Sequence, residues 1–117
     1  MNNESLHKLC LSLPGATHDH KVDWQSHWYY IGGKLFAIIG EKSGSMIILK
    51  CDPYRAEELR EQYEGITPGY HMNKTHWNSV YYDSDVEEET VEALIQHSYE
   101  LVLKKLPKKV QMELKQI

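Results

Sequence analysis

The stretch from Trp28 to Lys50 constrains the fold more than any other part of the chain. Two apolar runs, 28–31 and 34–39, flank Gly32-Gly33, and paired glycines supply the positive φ values that a tight hairpin turn needs. A second turn at 41–45 leads into a third run, 46–50, so the stretch predicts an antiparallel three-stranded meander. The second and third strands are apolar at nearly every position, which indicates that both faces of the sheet are covered.

In the sequence, helices are predicted both before and after the meander. Apolar residues at helical spacing, Asp52-Pro53 as an N-terminal cap, Gly65 as a C-terminal cap and a capping box at 84–87 define them. They lie within 4–13, 53–64, 84–106 and 108–117. Residues 16–27 are polar and irregular, and 79–82 predicts a short strand.

The whole pattern predicts a single α+β domain over 1–117, a mainly antiparallel sheet with helices packed on one face. The second face then needs a cover, which could be the loop over 68–78, the C-terminal tail or a second subunit.

Composition narrows the class of protein. The first residues lack a basic region followed by an apolar run, and no segment is long enough to cross a membrane, so neither signal peptide nor membrane association is expected. Cys10 and Cys51 have no metal-ligand spacing and suit a reducing compartment, so a cytoplasmic location is expected. The net charge is −4, yet residues 104–117 contain five Lys and one Glu, a net of +4, which leaves −8 for the rest. A polyanion would therefore meet the C-terminal tail or a local loop rather than the average surface.

The segment Pro68–Asn78 is typical of a functional loop. It combines two histidines, a lysine, a tyrosine and a tryptophan with neither strand nor helix periodicity. Lysines here and on the turns, including Lys42, can contact phosphates, and aromatic rings can stack on unpaired bases. The alternative is that Trp28 and Trp77 fill the second sheet face while the lysines only solvate turns. His76 can equally serve as a hydrogen-bonding residue that fixes the loop.

Catalysis and metal binding find little support in the sequence. There is no nucleophile elbow, phosphate-binding glycine loop or paired-carboxylate motif, and the charge of Asp52 disfavours a thiolate at Cys51. His71 and His76, and the group His18-Asp19-His20, lack the spacing of a zinc site. The sequence therefore predicts a non-enzymatic protein with no metal and no cofactor.

Several motifs together resemble the MmcQ/YjbR family of small bacterial proteins. They are Gly32-Gly33-Lys34-x-Phe36-Ala37, Lys50-Cys51-Asp52-Pro53 and Met72-Asn73-Lys74-x-His76-Trp77. Trp24-Gln25-Ser26 departs from it, because many members have an aromatic residue followed by Gly there. The resemblance implies a two-layer fold like that of the frataxin-type CyaY proteins. It also implies DNA binding through a "double wing" arrangement of hairpins, although a fold does not by itself fix a function.

These observations lead to a DNA-binding hypothesis with a basic and aromatic surface made by a hairpin and a loop. The candidate nucleic-acid or ligand-binding residues are Lys34, Lys50, Tyr70, Lys74, His76 and Trp77. The alternative is a protein- or small-ligand-interaction module on the aromatic sheet face, with a homodimer or a protein partner covering that face. The scarcity of arginine, with only Arg55 and Arg60, disfavours sequence-specific readout of bases.

Overall fold

The computed structural model describes residues 1–41, 45–69 and 72–115. Within these ranges the elements are α1 (Asn3–Ser12), β1 (Ala16–Lys21), a short 3-10 helix (Val22–Trp24), β2 (Ser26–Ile31), β3 (Lys34–Gly40), β4 (Met46–Lys50), α2 (Pro53–Gln62), β5 (Ile66–Pro68), β6 (Trp77–Tyr81), α3 (Glu88–Lys104) and α4 (Lys108–Lys115). None of the helices in this part of the chain has the length and apolar character needed to cross a membrane.

The strands form one antiparallel sheet in the order β1-β2-β3-β4-β6-β5. The predicted meander is confirmed as β2, β3 and β4, and Gly32 and Gly33 adopt the positive φ values (58° and 78°) expected of the hairpin turn. The α+β class is likewise confirmed.

The prediction of irregular structure at 16–27 is wrong, because this segment contains strand β1. This strand pairs with β2 from Ala16 opposite Ile31 to Lys21 opposite Ser26. An edge strand can be polar on both faces, so β1 lacks the alternation of apolar residues that signals a strand. Its polar residues nevertheless alternate in direction, which places His18 and His20 on one face.

A β-bulge in β3 places two consecutive apolar residues on the same face of the sheet. The register shifts so that Tyr29 pairs with Ala37 and Tyr30 with Leu35, which leaves Phe36 as the extra residue. Phe36 and Ala37 therefore both enter the main core, whereas Leu35 lies in a separate cluster on the other face.

Three predicted boundaries need correction. The segment Pro68–Asn78 is not all loop, because Pro68 ends β5 while Trp77 and Asn78 begin β6, so the connection is residues 69–76. Helix α2 ends at Gln62 with an extended Tyr63, so Gly65 does not cap it. The capping box at 84–87 does not form: Glu87 caps α3 without a side-chain hydrogen bond.

Two hydrophobic clusters cover the two faces of the sheet. The main core lies between one face and the helices, and α4 packs on this side through Val110 and Leu114. The second cluster contains Ile38, Met46, Ile48 and Trp77, with Trp28, Leu35 and Met72 packed around them. Among the described residues, no helical side chain joins it. Met72, within the 69–76 connection, and Trp77, directly after it, thus help to cover the second face, as expected of the loop over 68–78. The described part of the C-terminal tail packs on the main core through α4.

Candidate nucleic-acid interface and histidine cluster

Three of the candidate lysines lie at the same end of the sheet. Lys34 follows the Gly32-Gly33 turn, and Lys50 ends β4 opposite Trp77, where the 69–76 connection with Lys74 enters β6. Helix α3 also ends here, because Leu106 lies beside Gly32. We call this surface the basic end, formed by Lys34, Lys50, Lys74, Lys104 and Lys105.

Two lysines of the basic end, Lys50 and Lys105, lie close enough to repel each other. The pKa of Lys50 is lowered because its amine is partly buried and because it lies beside the ammonium group of Lys105. Within the described residues, no carboxylate forms a salt bridge with any member of the basic end. Amines that are close together and unpaired favour an anion from outside the protein.

Hydrogen bonds from Arg60 and Cys51 hold the end of the 69–76 connection in place. The guanidinium of Arg60, on α2, donates hydrogen bonds to the carbonyl of Lys74, to that of Trp77 (3.2 Å) and to the side-chain oxygen of Asn78 (2.6 Å). The carbonyl of His76 accepts a hydrogen bond from the backbone N–H of Cys51 at 2.8 Å. His76 thus fixes the loop through its backbone, and the Lys74 side chain remains exposed.

The aromatic candidate Trp77 is buried, unlike the exposed lysines Lys34 and Lys74. Trp77 is only 9 % exposed and belongs to the second cluster, which weighs against its use as a stacking surface. Tyr70 lies outside the described residues, as do His71 and Lys42. Sequence patterns did not single out Trp24, which is 70 % exposed and packs edge-to-face against Trp28.

The opposite end of the sheet is acidic. It includes Glu41 after β3, Asp83 and Asp85 after β6, and the glutamates at the start of α3. Backbone N–H groups of Glu64 and Gly65 donate to the Asp85 carboxylate at 2.9 and 2.8 Å, and these bonds lower its pKa. Helix α3 therefore joins an acidic end to a basic end, an arrangement that its dipole stabilises.

A histidine cluster lies at this acidic end, on the helix-covered face. It consists of His7, His18, His20, His27 and Glu41. His20 and His27 are directly opposite each other on β1 and β2, and their rings stack with centroids 4.2 Å apart. Both Nε2 atoms approach the same oxygen, Oε1 of Glu41, at 2.9 Å for His27. His18 Nε2 and His27 Nδ1 share a hydrogen bond of 2.7 Å.

The remaining contacts of the cluster tie it to α1. His7 Nδ1 and the Tyr29 hydroxyl share a hydrogen bond of 2.7 Å, and the His7 ring meets that of His18 edge-on. The pKa of His18 is lowered, first by burial and then by the neighbouring histidines. The sequence offered one sign of this cluster, the i, i+2 spacing of His18 and His20, but finding their partners required the pairing of β1 with β2.

Both cysteines are buried. Burial raises the pKa of Cys10 to about 12 and that of Cys51 to about 11. Neither thiol therefore has the low pKa and access of a reactive cysteine.

The fold and the basic end define a small two-layer α+β protein with strongly separated charge. The YjbR family model matches residues 11–101, and the chain belongs to this family. It is 37 % identical over 116 residues to the uncharacterised protein YbdF of Escherichia coli O157:H7, covering 95 % of each chain. It is 32 % identical over 108 residues to the uncharacterised YjbR of E. coli K12, covering 92 % of each. The crystal structure of Deinococcus radiodurans DR2400 superposes with a TM-score of 0.89 at 33 % identity, over 96 % of this chain and 86 % of that one.

Proposed function

We propose that this protein binds DNA, and that it does so through phosphate contacts at the basic end. The observation that carries the proposal is the position of Lys34, Lys50 and Lys74 at one end of the sheet, beside the end of α3, without a salt-bridged carboxylate in the described chain. Lys34 and Lys74 extend the same surface and are exposed.

The proposed binding has little sequence specificity. Base readout relies chiefly on arginine and on amide side chains in the grooves. Arg60 already donates to three acceptors within the protein, which uses three of its five N–H donors. Lysines that act as point charges fix position on the phosphates without reading bases.

We also infer that the finer fold assignment suggested by the family resemblance holds, namely a frataxin-type, CyaY-like two-layer fold. The support is a single antiparallel sheet with its helices on one face, α3 against the central strands β3 and β4, and α1 against the edge strand β1. The "double wing" would then be the hairpins β2–β3 and β5–β6, whose connections lie at the same end of the sheet.

A fluorescence-anisotropy titration of labelled single- and double-stranded DNA, repeated from low to physiological salt, tests the proposal. The logarithm of the affinity should fall linearly with that of the salt concentration, with a slope of about −0.9 per phosphate contact on duplex DNA. Lys50→Gln, Lys74→Gln and Lys105→Gln should each weaken binding and reduce that slope by about 1.

Lys8→Gln is the matched control. Lys8 is an exposed lysine on α1 that pairs with Glu4 at 3.6 Å and lies outside the basic end, so its loss changes the net charge equally. Absence of binding even at low salt would overturn the proposal. So would an equal loss of affinity in Lys8→Gln and Lys50→Gln, because binding would then follow net charge alone.

A second candidate function, protein or small-ligand binding at the aromatic sheet face, is favoured by one observation. Trp24 is largely exposed beside Trp28, with the Lys21 ammonium 5.5 Å from the Trp28 ring. Such binding, or a homodimer through this face, should be nearly independent of salt and should be lost in Trp24→Ala. Sedimentation velocity over a range of protein concentrations separates a homodimer from a foreign partner.

A further inference from the structure

We propose that His20, His27 and Glu41 form a binding site for a divalent transition-metal ion of the Zn²⁺ type. The three side chains each offer one ligand atom, and these atoms all lie within 4.8 Å of one another. The site is at the acidic end of the sheet, away from the basic end, and is independent of DNA binding.

The ligand atoms lie close enough together for one metal ion to bind all three after a small movement of Glu41. Zinc bonds of about 2.0–2.2 Å to nitrogen and oxygen place neighbouring tetrahedral ligands roughly 3.4 Å apart. Here Nε2 of His20 and Nε2 of His27 both point at Oε1 of Glu41, and the rings stack almost parallel at 8°. A small outward rotation of the exposed Glu41 side chain would make room for an ion between the three atoms.

The backbone arranges these residues before any ion arrives. His20 and His27 are cross-strand partners, so the β1–β2 ladder sets their separation. Glu41 is held beside the start of β2 because its backbone N–H donates to the carbonyl of Gln25 at 2.9 Å. Ligands fixed by a sheet lose little conformational entropy on binding a metal.

His18 completes the arrangement as an orienting residue. Its Nε2 lies 2.7 Å from Nδ1 of His27. If His27 donates its Nδ1 proton to His18, its Nε2 lone pair faces Glu41 and is available to a metal. A metal-binding histidine usually donates its other ring N–H to a neighbouring acceptor in this way.

The donor set selects the class of ion. Two imidazoles and one carboxylate suit Zn²⁺, Co²⁺, Ni²⁺ or Fe²⁺, whereas Mg²⁺ and Ca²⁺ prefer oxygen ligands throughout. Three protein ligands leave a fourth tetrahedral position open. A cavity of about 230 Å³ adjoins His27 and is also lined by Asn3, Glu4, His7, Tyr29 and Ile39, so a water molecule or small ligand has space nearby.

The competing explanation is a metal-free network in which Glu41 pairs with protonated histidines. Isothermal titration calorimetry with Zn²⁺ in a non-chelating buffer separates the two. We expect stoichiometric binding near neutral pH and a steep loss of affinity in acid, because ligating imidazoles must be neutral. Co²⁺ should give visible d–d absorption bands on binding, which a hydrogen-bond network cannot produce.

Variants assign the ion to this site. His20→Gln, His27→Gln and Glu41→Gln should each lower the affinity for Zn²⁺ at least tenfold, and His18→Gln should lower it by about 10–100-fold through the orientation of His27. His76→Gln is the control, because this histidine precedes β6 at the opposite end of the sheet and, among the described residues, forms hydrogen bonds only through its backbone. Circular dichroism confirms that each variant is folded. The proposal is overturned if the wild type fails to bind Zn²⁺ at concentrations of about 100 micromolar, a dissociation constant that corresponds to a binding free energy of roughly −5.5 kcal/mol. It is also overturned if the three ligand variants bind Zn²⁺ as well as His76→Gln does.

Discussion

Ser98 joins the sheet to helix α3, and its removal gives the sharpest test of the packing argument. Its hydroxyl donates to the carbonyl of Phe36 at 2.6 Å and accepts from the backbone N–H of Lys50 at 2.9 Å. The register that pairs Ala37 with Leu49 would bring Phe36 opposite Lys50, but the β3–β4 pairing ends at Ala37, next to the bulge that β3 forms against β2. The buried hydroxyl therefore stands in for a missing backbone hydrogen bond.

The expected cost of Ser98→Ala follows from these two contacts. Each lost hydrogen bond is worth about 1 kcal/mol net, and a backbone group left buried without a partner costs about 1–3 kcal/mol. Alanine recovers up to about 0.5 kcal/mol through its helix propensity. The variant should thus lose about 2–4 kcal/mol of unfolding free energy, a fall in Tm on the order of 10 °C.

Urea denaturation followed by circular dichroism measures this loss, and Ser12→Ala is the matched control. Ser12 is exposed at the end of α1, so its replacement should change the stability by less than about 0.5 kcal/mol. Hydrogen exchange should also show that the Lys50 amide loses protection in Ser98→Ala. A variant as stable as the wild type with a protected Lys50 amide would refute the reasoning, because the strands would then have closed directly.

Three further predictions concern the loop, acid stability and the thiols. Trp77→Ala should cost about 3–5 kcal/mol in urea denaturation because the ring is buried in the second cluster, whereas Lys74→Ala should leave the midpoint nearly unchanged; equal losses would make Lys74 structural. Asp85→Asn should destabilise the protein near neutral pH. The pKa of Asp85 in the folded protein lies below its unfolded value near 3.8, so the stabilisation by its carboxylate is complete above pH 3.8 and is lost as the pH falls through the folded pKa. The urea midpoints of the wild type and of Asp85→Asn should therefore converge in strong acid. Cys10 and Cys51 should resist iodoacetamide at pH 7 until the protein is unfolded, and rapid modification of the native protein would contradict their burial and raised pKa values.

The sequence predicted the elements whose signals are local. The turn at Gly32-Gly33 and the cap at Asp52 depend on the backbone preferences of one or two residues, and both are present. Strand β1 was missed because its polar residues give no apolar alternation, and its strand character comes from pairing with β2. Ser84 also resembles an N-terminal cap in sequence, yet its hydroxyl donates to the carbonyl of Tyr81 instead.

The sequence predicted which lysines lie at turns and strand ends, but not which of them come together in the fold. Lys34, Lys50 and Lys74 were identified as basic residues at turns and strand ends. Their position at one end of the sheet, and the contact of Lys50 with Lys105, depend on the strand order and on where α3 ends. Trp77 illustrates the opposite case. Composition alone cannot tell an aromatic ring that covers a sheet from one that is offered to a partner.

The two proposed sites are too far apart for their charges to affect each other strongly. Strand β3 runs from Lys34 at the basic end to Gly40 beside Glu41, which is about 20 Å at roughly 3.3 Å per residue. A divalent ion and a unit charge at that distance interact by only about 0.4 kcal/mol in water, and physiological salt, with a Debye length of about 8 Å, screens most of that. Bound Zn²⁺ should therefore leave the DNA affinity unchanged within about a factor of two. A larger change in the anisotropy titration would mean that the metal alters the fold between the two ends, and not merely the charge at one of them.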